Sequence, residues 1–198
     1  MSVRVVTHSG AEVAPYLADL ARLRTLVFRD YPYLYQGSAD YEQDYLQTYA
    51  RSPRSVFVLA LDGEQVVGAS TGIPLLDDAP AFHQPFQAKG IAPQDVFYFG
   101  ESVLLHAYRG QGLGHRFFDA REAHARSLGG YAMTAFCAVE RAADDPRQPA
   151  DYRPNDAFWI KRGYRRQDDL FCQLNWKELG QDETSAHLLR FWLRPLER

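Results

Sequence analysis

Cysteine, methionine and long apolar runs are what this sequence has least of. Its 198 residues hold only two cysteines, Cys137 and Cys172, so a disulfide framework is not expected and the default setting is a reducing, cytoplasmic one. No stretch approaches the roughly 18 consecutive apolar residues of a membrane span. Residues 1–8 lack the apolar run of a leader peptide, so no membrane partner is expected. The histidines and cysteines fall at no paired ligand spacing, which argues against a metal site. Positive charge is not in excess either. Lys and Arg total 22 against 25 Asp and Glu, a net charge of −3, which excludes a nucleic-acid partner held by bulk charge.

What is present is a globular balance, 46% hydrophobic and 24% charged. A chain of this length buries roughly 70% of its unfolded surface without covalent staples. No repeat, low-complexity tract or change of composition divides it, so residues 1–198 read as one domain. Aromatic residues reach 14%, enough to line a pocket as well as to fill a core. A homodimer is the base-rate expectation for assembly.

Apolar periodicity and turn residues predict a first strand at 3–7 and a helix over 11–28 with Pro15 in its first turn. The tyrosine-rich stretch 29–38 reads as a loop, followed by a second helix over 41–50. Two strands, 55–61 and 65–73, flank the hairpin signal Asp62-Gly63. Residues 74–95 form a long excursion with room for a short helix. The run 96–105 is apolar on both alternating faces, as in a central strand, and Gly100 inside it signals a bulge or a close backbone approach. A tight loop, 106–112, leads into a helix that ends near Leu128, and strand 131–139 follows. After the proline-containing loop 142–154 come a short helix, 155–162, and two strands, 171–177 and 187–193. The order predicts an α/β fold, a mixed and mostly antiparallel central sheet with helices on both faces.

The strongest local signal is Tyr108-Arg109-Gly110-Gln111-Gly112-Leu113-Gly114, between a buried strand and a helix. Glycines there let the backbone turn sharply, and the unpaired N–H groups of a first helical turn face an anion. The spacing is not the Gly-x-Gly-x-x-Gly of dinucleotide sites, and the Gly-Lys-Ser/Thr of a P-loop is missing. Taken alone, the motif is equally a glycine-rich turn that merely starts a helix.

Arg109, Gly112 and Gly114, preceded by Tyr108, resemble the signature of the GNAT superfamily, the acyl-CoA-dependent N-acetyltransferases. The element order and the segment 155–164, which ends on Gly163-Tyr164, are similar to that superfamily as well. The resemblance spans nearly the whole chain and departs from the common pattern at His106, where many members carry proline. It implies acetyl-CoA as cofactor and transfer of an acetyl group to an amine, in a small-molecule substrate of unstated identity, directly within a ternary complex. Ser102, Val103 and Leu104 would run beside the pantetheine arm, N–H groups of Gln111, Gly112, Leu113, Gly114 and His115 would hold the pyrophosphate, and Arg109 and Gly110 belong to the same cofactor-binding loop. Asn155 and Trp159 are expected at the same cofactor. A non-catalytic acyl-CoA-binding or sensing module on the same fold is the alternative.

Amine acetylation needs a base for the ammonium proton. Glu101 is the leading candidate, since a carboxylate within an apolar strand is the kind of group that burial makes basic; pairing with an arginine is its structural alternative. Glu140, just past the next strand, is the second candidate. Cys137 reads as packing. Many members carry a tyrosine four residues before the closing glycine, which helps protonate the thiolate; here that position is Trp159, whose indole N–H is no proton donor near neutrality. Trp159 is therefore expected as packing or as a pantetheine wall, with water or Tyr152 returning the proton. The acceptor pocket is expected from Tyr31, Tyr33 and Tyr35 together with the 74–95 and 142–154 segments.

Overall fold

The computed structural model describes residues 3–197. Its strands are β1 (Arg4–His8), β2 (Val56–Asp62), β3 (Gln65–Pro74), β4 (Val96–Tyr98), β5 (Ser102–Leu104), β6 (Met133–Val139), β7 (Arg165–Lys177) and β8 (Thr184–Pro195). The helices are α1 (Leu17–Phe28), α2 (Ala39–Arg51), α3 (Pro80–Ala88), α4 (Leu113–Leu128) and α5 (Asp156–Lys161). The sheet runs β1-β2-β3-β4-β6-β8-β7, with β5 continuing beside β3. Every pairing is antiparallel except β4 with β6. Leu20, Leu23, Leu46, Tyr49, Phe82 and Phe86 from α1, α2 and α3 bury one face of the sheet. Leu113, Phe117, Phe118 and Ala125 of α4 bury the other. None of the described helices is long and apolar enough to cross a membrane.

Local chemistry moved several boundaries. The helix expected over 11–28 divides, because Pro15 lies in a 3-10 segment, Gly10–Tyr16, that precedes α1. α2 starts earlier than its apolar period suggests, since the Ser38 hydroxyl caps it by accepting from the Tyr41 N–H at 3.5 Å. The last two strands are longer than read, because their outer residues alternate weakly between exposed and buried positions.

The central strand differs most. It is interrupted after Tyr98 and resumes at Ser102, on one extra residue. Ile73 pairs with Tyr98 and Ser70 with Ser102, so Thr71 and Gly72 on β3 face three residues, 99–101. Gly100 N–H donates to Thr71 O, and Thr71 N–H donates to Glu101 O, which makes this a β-bulge. Alternation with period two means that one inserted residue exchanges the faces. Phe97 and Phe99 point to α4, whereas Glu101 meets side chains of α1 and α2.

Arg121 of α4 fastens the bulge from behind. It is 1% exposed, and it donates to Thr71 O at 3.2 Å, Glu101 O at 3.1 Å and Ser102 Oγ at 2.9 Å. Among the described residues no carboxylate lies within ion-pair distance of it. Burial pulls its pKa down to about 10, so it keeps its proton at neutral pH. The rings of Phe99 and Phe118 cover the guanidinium at 4.2 and 4.6 Å.

At Gly100 the constraint is space. A Cβ there would lie 2.3 Å from Tyr49 Oη, 2.6 Å from Tyr45 Oη and 2.7 Å from Thr71 Oγ1. Gly100→Ala should therefore cost about 1–3 kcal/mol of stability through overpacking, instead of the small gain that Gly→Ala brings at an unstrained site. Urea unfolding measures this, and an unchanged or raised midpoint would show that the bulge has room to spare.

Candidate active site

The bulge parts two strands. β4 and β6 pair up to the bond from Phe99 N–H to Ala135 O at 2.8 Å. Beyond it, β5 stays with β3 and β6 stays with β8, and among the described residues no backbone bond joins β5 to β6. Leu105 N–H bonds to Val67 O and Thr71 N–H to Glu101 O, so in this antiparallel ladder residues 101, 103 and 105 turn their backbone groups to β3. Ser102 and Leu104 turn theirs the other way, into the split. Val103, expected with them at the cofactor, instead commits its backbone to Ala69 and its side chain to the core.

The glycine loop opens at the same end of the sheet. Gly110 and Gly112 have φ of +75° and +78°, a conformation that side-chain-bearing residues rarely adopt. A Cβ on either would find no heavy atom within 4 Å, so open space lies over both. Gly112 caps α4, and the first backbone bond of the helix runs from Arg116 N–H to Gly112 O, which leaves the amides of Leu113, Gly114 and His115 without intrahelical partners. Arg109 Nε braces the loop on Leu104 O at 3.3 Å, and Gln111 Nε2 braces it on Ala107 O at 3.1 Å. His115 stacks edgewise on Phe158. Asn155 begins α5, and Trp159 packs on Phe136 and Trp192 at ring distances of 5.0 and 5.1 Å. An uncovered backbone cradle at a helix N-terminus, beside strand groups that face no neighbouring strand, fits a pyrophosphate followed by an amide-bearing chain.

On the α1–α2 side a cleft, partly open to solvent, lies against the bulge. Tyr98, Gly100, Glu101 and Cys137 form its base, and Phe28, Tyr33, Tyr35, Tyr41, Tyr45 and Trp176 its walls. Tyr33 and Tyr35 are held there by backbone docking: Gln36 N–H donates to Lys177 O, Leu179 N–H to Leu34 O, and Trp176 Nε1 to Tyr33 O.

Glu101 is 6% exposed, yet its surroundings are not purely apolar. Its Oε2 accepts from Tyr45 Oη at 2.6 Å and Thr71 Oγ1 at 3.0 Å, and it pairs with Arg24 Nη1 at 2.9 Å. Oε1 is buried with no partner. Arg24 also holds Glu42 through Nε. Burial works against the Arg24 charge, but Glu101, Tyr45 and Glu42 outweigh it and hold the guanidinium above its ordinary range. Burial, then the charge of Glu101, pushes the Tyr45 phenol well up. Asp78 sits behind, bonded to Tyr49 Oη at 2.8 Å, and burial pushes it up to about 6.

The remaining sequence candidates lie elsewhere. Glu140 follows β6 on the alternation of Phe136, which packs on α4, so it stands on the opposite face from Glu101. Hydrogen bonds from Arg190 and Arg166 hold its carboxyl below the usual range, the reverse of what a base requires. Tyr152 packs edge-to-face on Tyr31 at 4.7 Å, and Tyr31 reaches Gln148, so both sit in the contact between two loops and outside the cleft lining. Cys137 is bonded to Tyr98 Oη at 3.1 Å, and burial pushes its thiol well up, consistent with packing. Arg24, Tyr41 and Tyr45 escaped the sequence reading. The available signals were a charge at the 20–24–27 stripe of the first helix and two tyrosines four residues apart on the second.

The sequence model of the Acetyltransferase (GNAT) family matches residues 20–150, from within α1 to past β6. No curated protein sequence matches the chain. Among solved structures, an acetyltransferase from Streptococcus agalactiae is similar at 16% identity and a TM-score of 0.61, with 98% of each chain covered. A GNAT-family acetyltransferase from Staphylococcus aureus gives 13% and 0.59, covering 99% of this chain and all of its own. A ribosomal-protein-alanine N-acetyltransferase from Brucella melitensis gives 13% and 0.60, over 96% of this chain and 99% of its own. At these identities the structural likeness establishes the mixed α/β fold, and the family match over well more than half of the sequence establishes the lineage: the chain belongs to the GNAT acetyltransferase family.

Proposed function

We propose that the protein transfers the acetyl group of acetyl-CoA to the nitrogen of a small amine, directly and within a ternary complex. The observation that carries this is the adjacency created by the bulge: backbone groups of Ser102 and Leu104 that no neighbouring strand pairs on one side, and a buried carboxylate oxygen of Glu101 in an aromatic cleft on the other. When bound, acetyl-CoA supplies the acetyl group as a thioester, whose C–S bond breaks as the acceptor nitrogen gains its amide bond.

The protein's own groups do the rest. Amides of Leu113, Gly114 and His115 hold the pyrophosphate, and Ser102 and Leu104 hydrogen-bond the pantetheine arm as a further strand would. The Leu104 N–H faces the split and stabilises negative charge on the carbonyl oxygen. Glu101 Oε1 accepts one proton from the acceptor ammonium, which frees the nitrogen lone pair. A second proton passes from the new amide nitrogen to the thiolate through water, because Tyr152 is engaged with Tyr31 outside the cleft lining. Trp159 serves as packing and needs no proton to give. Arg24, Tyr45 and Thr71 fix the carboxylate so that Oε1 is the oxygen left for substrate.

CoA should raise the melting temperature of the wild type, since a ligand bound to the native state stabilises it by mass action. Gly112→Val should remove that shift, both by obstructing the cradle and by disfavouring a φ of +78°. A folded Gly112→Val protein that CoA still stabilises equally would place the pyrophosphate elsewhere. Glu101→Gln should lower kcat about 100-fold or more with the CoA-induced shift intact. Thiol release at wild-type rates by this variant would exclude Glu101 as the base and favour a base outside the cleft.

A further inference from the structure

The composition of the cleft restricts what can occupy it. Arg24 is the one cation among its described lining residues, and Glu101 and Glu42 already engage it. The ring of Tyr45 covers the guanidinium at 3.8 Å and that of Phe28 lies at 5.1 Å, while Nε is taken by Glu42 and Nη1 by Glu101, so the Arg24 charge is already matched inside the protein. Behind the lining, Asp78 adds another buried acid. Even with Arg121 on the far side of the strand counted, two buried guanidiniums stand against the three carboxyls of Glu42, Glu101 and Asp78. Beside the 31–35 loop, where Arg141 donates to Pro32 O and Tyr33 O, Arg141 and Arg147 are matched by Glu178 and Asp145. An acceptor carboxylate would thus find no unmatched cation and an excess of like charge.

Two features attract instead. Glu101 Oε1 is buried and lacks a hydrogen-bond donor, a cost that an incoming N–H removes. The walls are ring faces and edges, Tyr33, Tyr41, Tyr45 and Trp176 with Tyr98 at the base, which suit an aromatic body and also favour a cation beside it.

We propose that the acceptor is a small aryl-alkyl monoamine without a carboxylate, its ring between the tyrosines and Trp176 and its nitrogen on Glu101 Oε1. This rests on the acetyl-transfer reading for the chemistry, but the selectivity is a property of the cleft and is measurable as binding.

The test compares phenethylamine, phenylalanine, 3-phenylpropionate, spermidine and a short peptide with a free N-terminus. Binding to the CoA-loaded protein is read by calorimetry, and thiol release from acetyl-CoA is read in parallel. Phenethylamine should bind about tenfold or more tightly than any other member, a difference of roughly 1.4 kcal/mol. Glu101→Gln should weaken phenethylamine and strengthen 3-phenylpropionate, because a repelling charge is replaced by an amide that can donate. Tyr41→Leu, at a half-exposed wall position, should weaken phenethylamine without loss of the fold. Equal or tighter binding of phenylalanine, 3-phenylpropionate, spermidine or the peptide overturns the proposal, as does no binding of phenethylamine. The expected binding order without any thiol release upholds the acceptor class and defeats the acetyl-transfer reading. Thiol release with phenylalanine or the peptide, but none with phenethylamine, does the opposite.

Discussion

One inserted residue in the central strand is the constraint on which the site depends. The bulge opposite Thr71 exchanges the faces of everything after it, so Glu101 leaves the α4 side, where Phe99 points, and enters the cleft under α1 and α2. The same insertion bends β5 away from β6 and leaves Ser102 and Leu104 with backbone groups that no strand satisfies. A buried strand with unpaired groups is costly unless something else bonds them. Here Arg121 adds a second donor to Thr71 O and Glu101 O, which also accept from the Gly100 and Thr71 N–H groups, and so fastens the bulge in place. The split edge is left for a ligand.

The second constraint is charge. A guanidinium without a water shell is tolerated only when its partners are close and its donors are used. Arg24 meets this with Glu42, Glu101 and the face of Tyr45, and the arrangement leaves the cluster acidic. Rigidity and reactivity are thereby divided within one carboxylate. Oε2 is fixed by three donors, and Oε1 is held in place with none. Positioning of this kind is what keeps a base productive, since its orientation is set before substrate arrives.

Much of this was legible from residues alone. Element order, the glycine loop, Gly100 as a place of close backbone approach and Glu101 as the buried acid all follow from period, turn chemistry and the oddity of a charge in an apolar run. Gly100 also signalled a bulge, but not the face to which Glu101 would turn. Residues 96–105 are apolar on both faces, so a change of face leaves no mark in the pattern. Arg24 was invisible as a site residue because its partners lie far along the chain, Glu42 18 residues away and Glu101 on another element. Glu140 likewise looked available as a base until the fold brought Arg190 and Arg166 to it. The tyrosines of the 31–35 loop divided for a tertiary reason. Backbone docking on the end of β7 turns Tyr33 and Tyr35 inward, and Tyr31 goes to Tyr152 instead.

The central claim is that the bulge frees particular backbone groups for the acyl donor. Residue-resolved amide hydrogen exchange, with and without CoA, tests it most directly. The account predicts that the Ser102 and Leu104 amides exchange fast in the free protein and slow markedly with CoA, and that Val103, bonded to β3 in both states, changes little. Protection that rises at Val103 alone, or CoA binding that leaves Ser102 and Leu104 unprotected, would contradict it.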